Sequence, residues 1–141
     1  MTAYMPVAQT DDWATPQYLF DEWNKRFTFV TDAAASSTNH KLSQWFGLDH
    51  PDQNRRDGLE GQWLGNTWIN PPYGRGIINW LEKAHTHDSA VVLLLPSRTD
   101  TKWFHDYCLT ATQLHFIRGR VKFGAGKASA PFPSMVVVVN G

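Results

Sequence analysis

Leu19, Phe20, Trp23 and Phe27 fall at helical spacing and predict a helix over about 16–26. Thr15 reads as its N-cap and Pro16 as its first helical residue, where a missing N–H costs nothing. The stretch from Phe27 to Asp32 suits a strand ending in an acid. Residues 33–62 turn small and then polar, and 44–48 within them fits either a short strand or a helical turn. After Asn66 the pattern sharpens. Thr67-Trp68-Ile69 is a short buried strand stopped by prolines, and Ile77, Ile78, Leu81 and Ala84 mark one face of a helix. Val91–Leu95 is the unbroken apolar run of a central parallel strand. Thr99 can cap a further helix lined by Trp103, Phe104, Tyr107, Cys108 and Ala111. Leu114–Ile117 and Met135–Val139 read as strands around a Gly/Ala/Pro-rich loop at 124–133, and the first ten residues read as a loose arm. Alternating strands and helices predict an open α/β sheet with helices on both faces, in one domain over 1–141. Ligands of such sheets sit at the carboxyl ends of the strands. Asp32, Asn70 and Pro96-Ser97-Arg98 all fall at such ends, so three polar features converge on one edge.

Composition narrows the class. A chain of 141 residues that is 42% hydrophobic and 13% aromatic, with seven Trp, can bury a real core. No run reaches the ~18–20 apolar residues of a membrane span. The start, MTAYMPVAQTDDW, lacks the basic and apolar regions of a signal peptide. Cys108 is the only cysteine, which rules out an intrachain disulfide or a cysteine-rich zinc site. His85 and His87 are two apart and would not face the same way on a helix, so no metal is expected. A soluble, intracellular protein is the expectation. The zero net charge hides an asymmetry: residues 1–97 carry seven Lys/Arg against eleven Asp/Glu, and residues 98–141 carry six against two. A basic C-terminal third suits a phosphate-bearing partner, with Arg75, Arg98, Lys102, Arg118, Arg120 and Lys122 as candidates to meet it.

Asn70-Pro71-Pro72-Tyr73 carries the most chemistry. Pro71 pushes Asn70 out of the α region, and neither proline can donate to a sheet ladder, so the strand ends with carbonyls facing a cleft. The same residues would also make an ordinary turn. Their place between a buried strand and a helix favours a site. The N6 of an aminopurine is a poor nucleophile because its lone pair is delocalised into the ring. The Asn70 side-chain oxygen and the Pro71 carbonyl could each accept one N6 hydrogen, drawing the nitrogen toward tetrahedral and aiming its lone pair. Tyr73 could supply a stacking face, typically ~1–3 kcal/mol per base. Neither a Gly-x-Ser-x-Gly elbow nor a Walker loop is present.

Together with Trp13-Ala14-Thr15-Pro16, Asp32-Ala33-Ala34, Asp57-Gly58-Leu59, the 95–104 block and Gly119-Arg120-Val121-Lys122-Phe123, this tetrapeptide resembles the phage-type DNA N6-adenine methyltransferases. That phage Dam-like family uses S-adenosylmethionine. The resemblance implies a Rossmann-like S-adenosylmethionine-dependent methyltransferase fold: a mostly parallel open sheet, helices on both faces, antiparallel C-terminal strand(s). It implies methyl transfer to adenine N6 in double-stranded DNA, with a flipped base held by Asn70, Pro71, Pro72 and Tyr73. Trp13, Thr15, Pro16, Asp32, Ala33 and Asp57 would border the cofactor, Asp32 at its ammonium and Asp57 at its adenine amine. Phe123 or Phe132 would help hold the base, and the setting would be a bacterial or phage-infected cytoplasm. Two features depart from common patterns. Ala33-Ala34-Ala35-Ser36 stands where many nucleotide-binding folds have glycines, and no insertion is large enough for a separate target-recognition domain. Transfer to RNA adenine or to a protein glutamine, and a non-catalytic DNA-binding module, are the alternative readings.

Overall fold

The computed structural model describes residues 13–124 and 129–141, so the expected N-terminal arm and part of the 124–133 loop, with Lys127, lie outside the described residues. Helix α1 spans Gln17–Phe27 and buries Leu19, Phe20 and Trp23, the stripe that the spacing predicts. Its start differs from expectation. Pro16 occupies the N-cap position with an extended backbone (φ −58°, ψ 137°), and its carbonyl accepts from the Leu19 and Phe20 N–H groups. No side chain caps the helix, since proline has no polar side-chain atom, and the Thr15 hydroxyl before it meets Asn70. At the far end Thr28 turns left-handed (φ 51°) and Asn24 Oδ1 accepts from the Phe29 N–H. That turn consumes residues expected to open the first strand, so β1 is only Thr31–Asp32.

The other strands are β2 (Gln44–Trp45), β3 (Thr67–Ile69), β4 (Val91–Pro96), β5 (Gln113–Phe116) and β6 (Ser134–Val139). At 44–48 the strand alternative is therefore the one adopted. All six form a sheet in the order β2-β1-β3-β4-β6-β5, with β1 to β4 mutually parallel and β6 antiparallel to both its neighbours. This is a mixed α/β sheet of broadly Rossmann-like kind.

Every position of β4 and β6 is buried, which requires cover on both faces. Residues paired in register point the same way, so Trp68, Val92, Val138 and Gln113 share a face. Helix α1 lies on it, with Phe20 edge-on to Trp68 at 5.6 Å and Trp23 edge-on to His115 at 5.0 Å. Helix α2 (Ile77–Thr86) and a π-helical segment (Phe104–Cys108) are left for the opposite face. They are joined by the Tyr107 hydroxyl, which donates to Glu82, and by His85 Nε2, which donates to the Tyr107 carbonyl. Thr101, rather than the expected Thr99, closes the front of that segment: its hydroxyl accepts from the Phe104 N–H and donates to the Arg98 carbonyl. The chain makes one more turn, Thr101 N–H to the Arg98 carbonyl, before the helical residues begin.

Chain direction places the site. From β1 the chain moves outward to β2, then returns past β1 to lay down β3 on its other side. The order therefore reverses between β1 and β3, where open α/β sheets leave a crevice beyond the carboxyl ends. Asp32 ends β1 there and Asn70 follows β3.

Candidate active site

Asn70 is only 5% exposed. Its amide nitrogen donates to the Trp13 carbonyl (2.9 Å) and to Thr15 Oγ1 (3.2 Å). A carbonyl can only accept, so the nitrogen must face residues 13–15 and the amide oxygen must point away from them. The Tyr73 hydroxyl donates to the Leu94 carbonyl at 2.9 Å, and burial pushes its phenol above the usual range. Its ring meets Trp13 (6.5 Å) and Phe132 (5.6 Å) edge-on. Trp13 lies nearly parallel to Phe132, 10° apart at 5.9 Å, and contacts Phe123 at 5.5 Å. Tyr73 and Phe123, read from sequence as groups that would meet a base, are thus buried members of a four-ring cluster with Trp13 and Phe132. The Gly124 N–H donates to the Ala14 carbonyl (2.9 Å) and ties the chain between β5 and β6 to the 13–15 segment.

On the other side of the crevice, Asp32 is 3% exposed and its Oδ2 accepts from the Lys41 backbone N–H at 3.0 Å. Burial raises its carboxyl to about 7, opposed by backbone hydrogen bonds from Lys41 and Ala34 and by the Lys41 charge. Asp32, Thr15 and Asn70 line one small crevice, and Ala34 lines both this crevice and a larger cavity of about 480 Å³. The walls of that cavity are Ala33–Ala35, the segments 46–49 and 56–58, Pro72 and Trp80. Ala33, Asp57 and Pro72 from the sequence reading therefore border it. Pro71 is buried behind Asn70, and Pro16 is half-buried at the start of α1.

The glycines missing after β1 stand opposite it instead. A Cβ on Gly47 would overlap the Ala35 carbonyl oxygen, and one on Gly58 would overlap the Ala33 carbonyl oxygen and the Trp80 ring. At these two glycines the backbone approaches the alanine loop closely. Lys83 of α2 holds one of them. Its ammonium donates to the carbonyls of Gly58 (3.3 Å), Leu59 (2.8 Å) and Gly61, lies 4.7 Å from the Trp63 ring centre, and is lowered by burial. Asp49 at the cavity accepts from the Ser37 N–H (3.0 Å) and hydroxyl (2.7 Å), which holds its carboxyl below the usual range. Sequence reasoning missed Phe46, Gly47, Asp49, Arg56 and Trp80. The available signals were an acid just beyond β2 and two glycines flanking the alanine loop in space, of which only the acid could have been read locally.

Of the basic candidates, Arg75, Lys102, Arg118, Arg120 and Lys122 are exposed and Arg98 is half-buried. Lys102 pairs with Asp106 at 3.7 Å, and Arg120 Nη1 donates to the Ala130 carbonyl at 3.4 Å. Arg118, Arg120 and Lys122 stand between β5 and β6, where the alternate residues Val121 and Phe123 turn inward. Among the described residues no His/Cys/Asp/Glu group could hold a metal ion, and no helix is long and apolar enough to cross a membrane.

The chain matches the family DNA N-6-adenine-methyltransferase (Dam) over residues 2–138, and it belongs to that family. It is similar to the DNA N-6-adenine-methyltransferase of Haemophilus phage HP1 (strain HP1c1), 32% identical over 105 residues that cover 70% of this chain and 57% of the relative. It is also similar to the DNA N-6-adenine-methyltransferase of Escherichia phage T1, 29% identical over 118 residues, 79% of this chain and 47% of that protein. The chain spans about half the length of the curated relatives it matches.

Proposed function

We propose that the protein transfers a methyl group from S-adenosylmethionine to adenine N6 in DNA, on a base turned out of the duplex. The observation that carries this reading is the fixed orientation of the Asn70 amide at the strand-order reversal, beside a cavity of about 480 Å³. Family membership supports it. The fold is then the S-adenosylmethionine-dependent variant of the Rossmann-like arrangement. The natural setting is the cytoplasm of a bacterial or phage-infected cell.

The residues present fit the cofactor. Cavities of ~300–1,000 Å³ are usual for small-molecule sites. Phe46 and Trp80 offer apolar walls to a purine, while Asp49 and Asp57 offer acceptors to hydroxyls and an exocyclic amine. Asp32, in the adjoining crevice, is a desolvated carboxylate suited to an ammonium. Bound there, S-adenosylmethionine supplies an electrophilic methyl group on a sulfonium.

The acceptor side is the work of the chain itself. The Asn70 amide oxygen and the Pro71 carbonyl accept the two hydrogens of N6, which pulls the nitrogen out of conjugation and directs its lone pair. A strong base is not required, because the N6 proton can leave during or after attack. Most of the gain comes from alignment of nucleophile and electrophile. An N6 inside a stacked duplex cannot reach a buried amide, hence the flipped base. Arg75, Arg98, Lys102, Arg118, Arg120 and Lys122 would hold phosphates, and target preference would come from short loops.

Labelled S-adenosylmethionine incubated separately with duplex DNA, RNA and a protein extract tests the reading, after digestion and identification of the product. N6-methyladenine from DNA alone is the expected result. Label in RNA or in glutamine would replace DNA as the substrate, and no label with no cofactor binding would leave a DNA-binding module.

A further inference from the structure

Thr15 precedes a proline at the start of α1 in the pattern of a helix cap, yet the helix takes no side-chain cap and the hydroxyl turns to Asn70 instead. We propose that Thr15 is a positioning residue for the acceptor amine: it steadies the plane of the Asn70 amide, whose orientation the Trp13 carbonyl sets. The inference rests on the methyl-transfer reading above.

The two ends of an asparagine amide have nearly the same shape, so only hydrogen bonding decides between its two orientations. At Asn70 the choice matters. With oxygen toward the base the amide accepts from N6; reversed, it would set N–H donors against an amine that is itself a donor. Trp13 places a carbonyl 2.9 Å from the amide nitrogen, and the reversed amide would set oxygen against oxygen there. One such contact holds a single N–H. Thr15 Oγ1, at 3.2 Å, takes the second and fixes the plane. Both residues are sealed from water, Asn70 at 5% and Thr15 at 6% exposure, so solvent does not stand in for a lost partner. The Gly124–Ala14 hydrogen bond braces the same segment from outside.

Thr15 also lines the crevice that holds Asp32, so the experiment must separate an acceptor role from a cofactor contact. Thr15→Val keeps the shape and removes the oxygen; Thr15→Ser keeps the oxygen. The expected result for Thr15→Val is a ~10–100-fold loss of kcat on duplex DNA, with calorimetric affinity for S-adenosylmethionine unchanged within about twofold. Thr15→Ser should restore most of the turnover. Solvent exchange of the Asn70 side-chain amide protons, followed by NMR, gives a readout that needs no activity. They should exchange more slowly than those of the exposed Asn79, and faster in Thr15→Val than in the wild type. Unchanged turnover in Thr15→Val, cofactor affinity falling in step with turnover, or Asn70 protons exchanging like those of Asn79 would each overturn the proposal. A wild type that methylates nothing, with its Asn70 protons protected through Thr15, would sink the methyl-transfer reading and leave the amide tie standing.

Discussion

Asn70 and Asp32 sit a strand apart with opposite electrostatic problems. Asn70 has a neutral amide held by two acceptors, and its value lies in geometry. Asn70→Ala should lower single-turnover methyl transfer by about 100–1,000-fold, the usual cost of one preorganised hydrogen-bonding group, with little change in calorimetric cofactor affinity. Comparable turnover would remove the amine-gripping mechanism. Asp32 is a carboxyl deprived of water. An ordinary aspartate ionises near pH 4, whereas Asp32 keeps its proton in the fold to about 7. Stability from this group is therefore full below about pH 4 and is lost as pH climbs through about 7. An ammonium ligand needs the ionised form, so cofactor affinity should weaken about tenfold per unit below pH 7. Calorimetry between pH 5.5 and 7.5 should show that slope in the wild type and a flat line in Asp32→Asn. The same variant should melt no lower than the wild type at pH 8.

Strands, helices and the turns between them show where reading along the chain works. Thr67–Ile69 and the start of α2 at Ile77 lie where the apolar pattern puts them, because prolines and period-3.6 spacing act locally. The first strand is shorter than its β-prone sequence implies, since the left-handed Thr28 and the Asn24 side chain close α1 across those residues. The alanine loop after β1 shows the limit more sharply. Its close approach is permitted by Gly47 and Gly58, which are distant in sequence and adjacent only in the fold. Gly58→Ala should therefore press a methyl group into the Ala33 carbonyl and the Trp80 ring, costing about 1–3 kcal/mol. Thermal unfolding would register that loss, and calorimetry should show cofactor affinity falling with it. A Gly58→Ala variant with wild-type melting and affinity would mean that the loop is not held as closely as described.

Charge and chain path set how the whole molecule meets a partner. The basic residues between β5 and β6 project from a segment whose alternate side chains are buried and whose end is tied to Ala14. Replacing Arg118, Arg120 and Lys122 together by Ala should make the salt dependence of DNA binding shallower by ~2–3 in log–log slope, because each phosphate contact releases about one counterion. Fluorescence anisotropy on duplex DNA across salt concentrations measures this, and an unchanged slope would move the DNA contact elsewhere. The basic C-terminal third, the α/β alternation and the end of a strand at Asn-Pro-Pro-Tyr were determined by sequence alone, since composition, periodicity and missing N–H groups are properties of the chain. The neighbours were decided only by tertiary structure. Which way the Asn70 amide faces, how far Asp32 is desolvated, and that Tyr73 and Phe123 belong to a packed ring cluster all depend on residues brought together from separate parts of the chain. Such contacts exist only once the sheet has brought its strand ends together.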